Sequence, residues 1–148
     1  AGKLSAIVTQ NIDGLHQAAG SKNVFELHGS VHRNYCQKCG KFFDVNYVVN
    51  AKGVPYCDEC GGIIKPDVVL YEEGLDSQTI NGAVRAISKA DMLIIGGTSL
   101  VVYPAAGMID YFKGKYLAVL NRDATSRDKQ ADLCITDPIG EVLGRIRV

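Results

Sequence analysis

The chain has 148 residues, 47 % of them hydrophobic and 22 % charged, and its 16 basic and 16 acidic residues give a formal net charge of zero. This composition is typical of a globular protein with one sizeable core, and it excludes a disordered or fibrous chain. Because balanced charge gives no global field for a nucleic-acid backbone or an anionic membrane, we expect neither as a partner. The apolar runs are too short to span a bilayer and no signal-peptide pattern opens the chain, so we expect a cytoplasmic protein.

The first predicted element is an apolar strand from Leu4 to Thr9, which the polar stretch TQNIDGLHQAAG follows at once. Open parallel sheets bind ligands at the carboxyl ends of their strands, where loops meet the free N–H groups of helix starts. Gln10, Asn11 and Asp13 stand at such a strand end, so they are candidates for a binding site.

Two CxxCG motifs come next, CQKCG and CDECG, with 17 residues between the inner cysteines. This spacing is typical of a structural four-thiolate zinc site, whose ligands here would be Cys36, Cys39, Cys57 and Cys60. Gly40 and Gly61 can take the positive φ that lets a tight turn direct backbone N–H groups at the sulfurs. Two disulfides or a redox CxxC pair are the alternatives. The fifth cysteine, Cys134, is predicted to be a small buried apolar residue.

The rest of the chain alternates predicted helices and strands. Residues 77–90 carry apolar side chains at helical spacing, and residues 104–114 form a second helical pattern that begins at a proline and ends at a glycine. Apolar runs at 91–95, 116–120 and 132–136 predict strands covered on both faces. The sequence therefore predicts an α/β fold with a Rossmann-like, doubly wound parallel sheet. Residues 1–29 and 67–148 would form this domain, and residues 30–66 a small zinc ribbon inserted into it.

Two of these later strands also end in polar stretches, GGTSL and NRDAT. Gly97 would let the backbone approach a ligand closely, and Thr98 and Ser99 could bind ribose or phosphate. Three polar stretches at one sheet edge favour a nucleotide site, although Ser99 and Asn121 could merely cap helices. Without a GxGxxG or Walker motif, these residues alone leave the ligand open to any nucleotide-like molecule.

Six motifs occur in the order in which sirtuins carry them: TQNIDGLHQAAG, ELHGS, the CxxCG pair, KPDVVLYEE, GTSLVVYPAA and VLNRDAT. The chain resembles a bacterial-type sirtuin over nearly its whole length. This resemblance implies an NAD-dependent enzyme that removes acyl groups, such as acetyl, from protein lysines and releases nicotinamide and O-acyl-ADP-ribose. It also implies NAD and Zn²⁺ as cofactors, proteins with acylated lysines as partners, and a zinc domain inserted into a Rossmann-like domain.

The resemblance also assigns the site residues. His28 would be the general base; an isolated histidine there would more simply be a buried ring bonded to backbone, but the ELHGS match favours catalysis. Asn11 and Asp13 would orient the reacting groups, and Val68 and Val69 would pair with the acylated peptide as an added strand. The implied NAD contacts are Gln10, Asn11, Ile12, Asp13, Gly97, Thr98, Ser99, Asn121, Arg122, Asp123 and Ala131. His32 is not assigned to the zinc, because four thiolates already fill a tetrahedral site.

Sirtuins begin with a strand and a GAGxS-type loop that holds the pyrophosphate, and neither precedes Ala1. We therefore expect the chain to be the C-terminal portion of a sirtuin and to be inactive alone. Two alternatives stay open: a truncated, non-catalytic binder of acyl-lysine or ADP-ribose, and a zinc-ribbon module that binds nucleic acid. The lysines near the cysteines are scattered, so a solvated surface explains them more simply than a nucleic-acid patch. Acyl-chain preference, physiological substrate and oligomeric state do not follow from the sequence.

Overall fold

A computed structural model describes residues 2–147. Its strands are β1 (Ile7–Thr9), β2 (Val24–Glu26), β3 (Gly29–Cys36), β4 (Phe42–Asp44), β5 (Ile64–Val68), β6 (Met92–Gly96), β7 (Tyr116–Leu120) and β8 (Leu133–Ile135). Its α-helices are α1 (Leu15–Ala18), α2 (Val45–Val49), α3 (Ser77–Lys89) and α4 (Ile139–Gly144), and 3₁₀ helices span Ala105–Tyr111 and Asp128–Gln130. Within the described residues, no helix is long and apolar enough to cross a membrane.

The chain divides into two compact units, and each is described by itself. The first unit is Ala6–Ile80, and the second comprises residues 2–5 and 81–147 of the described chain. This division differs from the predicted limits of the inserted zinc domain, residues 30–66, which remain a prediction.

The first unit contains a parallel pair and an antiparallel sheet. Strands β1 and β2 run parallel, with Thr9 opposite Glu26. Strand β3 lies in the middle of the antiparallel sheet, between β4 and β5. Buried residues Cys36, Phe43, Cys57 and Ile64 form a core below the cysteine motifs. Because the last residues of β1 and β2, Thr9 and Glu26, are paired, the turn that follows β2 lies beside the carboxyl end of β1.

The second unit contains a parallel sheet with the order β6-β7-β8. The central strand β7 is buried from Leu117 onward, and Ile95, Leu117 and Val119 form the core. The edge strand β6 is less covered than its apolar sequence predicts, since Met92 and Ile94 are 48 % and 45 % exposed. Together with the parallel pair of the first unit, this sheet confirms the predicted α/β fold with parallel strands.

Further sequence expectations differ from the structure. The three polar strand ends do not share one sheet edge, because among the described residues β1 pairs with β2 and not with the β6-β7-β8 sheet. The first strand is shorter than residues 4–9, because pairing with β2 begins only at Ile7. Residues Ala105–Tyr111 form a 3₁₀ helix rather than an α-helix. Cys134 is exposed rather than buried, and its Sγ lies 3.6 Å from the Asp128 carbonyl oxygen.

Candidate functional site

The four cysteines of the two CxxCG motifs come together in one cluster. All four Sγ atoms lie within 4.8 Å of one another; Cys36 and Cys60 are 3.4 Å apart, and Cys39 and Cys57 are 3.7 Å apart. A tetrahedral zinc with Zn–S bonds of about 2.3 Å holds its sulfurs about 3.8 Å apart. The cluster therefore fits a zinc ion. All five cysteines of the chain are free, so neither CxxC pair forms a disulfide.

Backbone N–H groups stabilise the sulfurs unequally. Hydrogen bonds from the N–H groups of Cys39 and Lys38 lower the pKa of Cys36 to about 6. The N–H of Lys41 lowers the pKa of Cys39, but the neighbouring thiols of Cys60 and Cys36 outweigh it and raise that pKa to about 12. Adjacent thiolates repel each other, so four of them in one cluster require a cation such as Zn²⁺.

The predicted glycine turns are present, and backbone N–H groups in these turns point at the sulfurs as expected. Gly40 and Gly61 have φ values of 74° and 67°. The N–H of Gly40 donates to the Cys36 carbonyl oxygen and the N–H of Gly61 to the Cys57 carbonyl oxygen, each at 2.9 Å. The glycines therefore close the turns, while the N–H of Lys38, 3.4 Å from the Cys36 Sγ, reaches the metal-binding atom.

A lysine joins the two cysteine motifs. The Nζ of Lys41 lies 2.7 Å from Asp58 Oδ1 and 2.8 Å from Glu59 Oε1, so one ammonium bridges from the first motif to the second. This role was not predicted from the sequence. The basic residue in CGK and the acidic residues in CDEC could have suggested an ion pair, but the sequence alone does not show that the two motifs lie close together.

The stretch TQNID is tied to the turn that carries His28. We call residues 9–13 the TQNID loop and residues 27–32 the clamp segment. Four hydrogen bonds join them in register: Leu27 N to Thr9 O (2.9 Å), His28 Nδ1 to Gln10 O (3.1 Å), Val31 N to Ile12 O (3.1 Å) and His32 Nε2 to Asp13 O (2.9 Å). Two backbone donors and two imidazole rings thus fix the loop that is predicted to contact NAD.

These contacts determine which ring nitrogens carry hydrogen. A carbonyl oxygen only accepts, so His28 must donate from Nδ1, which in the neutral ring leaves Nε2 as the acceptor. The ring of His32 bonds through Nε2 instead, so its neutral form has the opposite tautomer. His28 is half-buried, and its Nε2 has no hydrogen-bond partner among the described residues. His28 therefore combines an anchored ring with an available base.

The polar side chains of the TQNID loop take part in local turns. The Thr9 hydroxyl accepts from Asn11 N at 3.1 Å, and Asp13 Oδ1 accepts from Leu15 N at 3.0 Å at the start of α1. Asn11 and Asp13 are exposed, while Gln10 and Ile12 are half-buried. The loop therefore presents an amide and a carboxylate to solvent from a backbone fixed on its other side.

Val68 and Val69 lie at the end of β5, which is an edge strand of its sheet. The N–H of Val69 donates to the His28 carbonyl oxygen at 3.1 Å, so this segment adjoins the candidate base. Strand geometry alternates, and the backbone groups of Val68 therefore point away from β3. The Val68 carbonyl accepts from Lys65 Nζ at 2.8 Å. An added strand at this edge would compete with that ammonium.

The remaining predicted NAD contacts lie in the second unit, at the carboxyl ends of β6 and β7 except for Ala131, which lies between the second 3₁₀ helix and β8. Gly97 has a φ of 62°, and its N–H donates to the Leu120 carbonyl at 3.1 Å. Thr98 Oγ1 accepts from Leu100 N at 3.2 Å, and Asn121 Nδ2 donates to Asp123 O at 2.8 Å, so both side chains stabilise turns. The other members of this set are Ser99, Arg122 and Asp123, which are exposed, and Ala131, which is half-buried.

Residues 1–104 match the model of the Sir2 family. The NAD-dependent protein deacetylase of Clostridium acetobutylicum is 68 % identical over 143 residues, which cover 96 % of this chain and 58 % of that protein. The protein of the same name from Clostridium perfringens is 67 % identical over 146 residues, or 98 % of this chain and 60 % of that protein. The chain thus spans about three fifths of the length of these relatives.

Solved structures agree with the sequence relatives. A Sir2 protein with a p53 peptide and NAD⁺ is 39 % identical, with a TM-score of 0.87 over 96 % of this chain and 61 % of that one. A Sir2 protein bound to an acetylated peptide is 38 % identical and also has a TM-score of 0.87, over 96 % of this chain and 62 % of that one. The family match, the identities and the shared fold lead to one conclusion: this chain belongs to the Sir2 family.

Proposed function

We propose that the protein removes acyl groups from protein lysines in an NAD-dependent reaction that yields nicotinamide and O-acyl-ADP-ribose. The single observation that carries this proposal is the fixed ring of His28, whose Nδ1 donates to the Gln10 carbonyl at 3.1 Å. This contact leaves Nε2 as the acceptor beside a loop of exposed polar side chains. Deacetylase relatives at 68 % and 67 % identity support the same chemistry.

The residues of the first unit have separate roles in this proposal. NAD, when bound, supplies an activated bond between nicotinamide and ribose. His28 Nε2 accepts the proton of a ribose hydroxyl, and histidine suits this role because it exchanges protons near neutral pH. Asn11 and Asp13 position the ribose and the carboxamide, while Gln10 and Ile12 line the same loop.

Further residues have proposed roles in binding peptide, NAD and zinc. The backbone of Val68 and Val69 binds the acylated peptide as an added strand. In the second unit, the remaining NAD contacts are Gly97, Thr98, Ser99, Asn121, Arg122, Asp123 and Ala131. The four cysteines hold a structural zinc; four thiolates fill its coordination shell, so it takes no part in the chemistry.

Charge pairing argues against the nucleic-acid alternative. Two of the lysines that could have formed a basic patch are paired, Lys41 with Asp58 and Glu59, and Lys65 with Glu73 at 3.9 Å. We also propose the cytoplasm as the location, because free thiols are typical of a reducing compartment.

Product analysis tests the proposed function. The protein expressed from its complete gene is incubated with an acetyl-lysine peptide with and without NAD⁺, and the products are quantified by chromatography and mass spectrometry. We expect deacetylated peptide, nicotinamide and O-acetyl-ADP-ribose in equal amounts, and no reaction without NAD⁺. Release of free acetate without nicotinamide would contradict the proposal. Peptide binding without turnover would favour the non-catalytic binder.

A further inference from the structure

We propose that His32 is a positioning residue, which holds Asp13 in the orientation that the NAD site requires. This inference rests on the proposed function. His32 Nε2 lies 2.9 Å from the Asp13 carbonyl oxygen, at the far end of the clamp segment from Leu27. The metal does not need this ring, because four cysteine sulfurs already form a complete tetrahedral ligand set.

The hydrogen bond from His32 acts on a short backbone segment that has little conformational freedom. Asp13 is held on both sides, since its carbonyl accepts from His32 and its carboxylate accepts from Leu15 N at 3.0 Å. Gly14 follows with a φ of 69°, in the left-handed region that favours glycine. A Cβ at Gly14 would lie 2.7 Å from His32 Cδ2 and 2.9 Å from its Nε2. The imidazole therefore packs against the bare glycine backbone and fixes the peptide unit next to Asp13.

His32 itself is held in place by its own backbone. Its N–H donates to Ser30 Oγ at 3.2 Å, and Ser30 is only 2 % exposed. The neighbouring Val31 N–H bonds to Ile12 O at 3.1 Å, so the ring projects from a strand already in register with the loop. Because the anchor is rigid, loss of the ring hydrogen bond should free the end of the TQNID loop without unfolding β3.

Only one feature of the imidazole is required, an N–H at the position of Nε2. The Nε2 of glutamine can reach that position, whereas leucine fills similar space without a donor. We therefore compare His32→Leu with His32→Gln in the protein from the complete gene. The matched control is Gln17→Leu, because Gln17 is an exposed residue of α1 whose side chain has no hydrogen bond among the described residues.

The expected results separate a positioning role from a structural one. In His32→Leu we expect KM for NAD⁺ to rise about tenfold, the scale of one lost hydrogen bond, while kcat changes less. We expect His32→Gln to restore KM to within about threefold of wild type, and Gln17→Leu to match wild type. Nitrogen-15 NMR of the histidine rings should show His32 protonated at Nε2 and His28 protonated at Nδ1.

Several outcomes would overturn the inference: an unchanged KM in His32→Leu, a His32→Gln variant as impaired as His32→Leu, or a His32 ring protonated only at Nδ1. Calorimetric titration with NAD⁺ separates this inference from the proposed function. If the wild type binds NAD⁺ without deacylating lysine, the proposed function fails, and a tenfold weaker affinity in His32→Leu alone still supports His32 as a positioning residue. A wild type that does not bind NAD⁺ overturns both.

Discussion

At the scale of single residues, backbone carbonyls determine what the two histidines of the clamp segment can do. His28 and His32 each donate one ring N–H to the TQNID loop, but through different nitrogens. The remaining nitrogen of His28 is therefore Nε2, which is available as a base, whereas the donor of His32 is consumed in holding Asp13. Identical side chains four residues apart thus have different chemistry.

Gly29, directly after His28, gives a prediction at this scale. Its φ is 77°, and a Cβ there would collide with the carbonyl oxygen of Asp67 on β5. We expect Gly29→Ala to lower the free energy of unfolding by about 3 kcal/mol or more, because backbone strain adds to overpacking between strands. Urea unfolding measures the change.

Gly20→Ala is the matched control for this variant. Gly20 also has a positive φ, 90°, but a Cβ added there would have no heavy atom within 4 Å outside the adjoining residues. Only the backbone strain remains, so we expect a loss of about 1 kcal/mol. Equal losses in the two variants would show that the contact with Asp67 is unimportant.

Some residue roles could be predicted from sequence and others could not. The spacing of the cysteines was enough to predict the metal cluster, since CxxC pairs bring sulfurs together by local geometry. The ELHGS match selected His28. The role of His32 depends on how the clamp segment aligns with the TQNID loop. Asp13 and His32 are 19 residues apart in the sequence, so no local sequence pattern predicts their contact. Cys134 was wrongly predicted to be buried, because an apolar stretch does not tell which face of a strand is covered.

At the scale of elements, an ionic bridge connects the strands around His28. Arg33 on β3 donates to Glu26 on β2 at 2.7 Å and to Asp67 on β5 at 2.8 Å. The side chain of Glu26 is only 7 % exposed, so its charge depends on this partner. The bridge joins the two strands that flank the His28 turn to the strand that ends in Val68.

Removing the arginine should destabilise this arrangement. Breaking a fully buried ion pair costs about 3–5 kcal/mol. The side chain of Arg33 is 40 % exposed, so for Arg33→Met we expect a smaller loss, about 2 kcal/mol, in urea unfolding. The double variant Arg33→Met with Glu26→Gln should recover at least half of this loss, because no buried charge is left unpaired. A loss in the double variant equal to the sum of the losses in Arg33→Met and Glu26→Gln alone would refute the bridge.

The elements themselves were predicted in part. The strand at 116–120 matches β7, whose apolar run is continuous and central to its sheet. The first strand was predicted too long, because apolar residues before Ile7 continue the pattern but have no paired strand among the described residues. The clamp segment was missed as an element, since two of its four hydrogen bonds to the TQNID loop come from histidine rings and only two from backbone N–H groups.

At the scale of the whole molecule, the zinc cluster stabilises the first unit by joining two distant motifs. The core below it includes Cys36 and Cys57, so two of the four metal ligands are also core residues. Loss of the metal should therefore disturb β3 and β5, which carry the His28 turn and the proposed peptide strand. Metal binding at such sites is coupled to folding.

Metal analysis tests this role. We expect one zinc per chain in the wild type, and well under one in Cys57→Ala, with lower activity because the flanking strands are misplaced. Cys134→Ala is the matched control; Cys134 is exposed and outside the cluster, so zinc content and activity should not change. Well under one zinc per chain in carefully purified wild type would contradict the assignment.

The proposed role of His28 Nε2 as the general base of an NAD-dependent deacylase is best tested with His28→Asn. The asparagine amide can replace the ring Nδ1 donor to Gln10 O, but it offers no base at Nε2. Rapid mixing of the protein from the complete gene with acetylated peptide and NAD⁺ follows nicotinamide and deacetylated peptide separately. We expect nicotinamide to be released still, while formation of deacetylated peptide slows by about a hundredfold or more. Near-normal formation of deacetylated peptide in His28→Asn would contradict it.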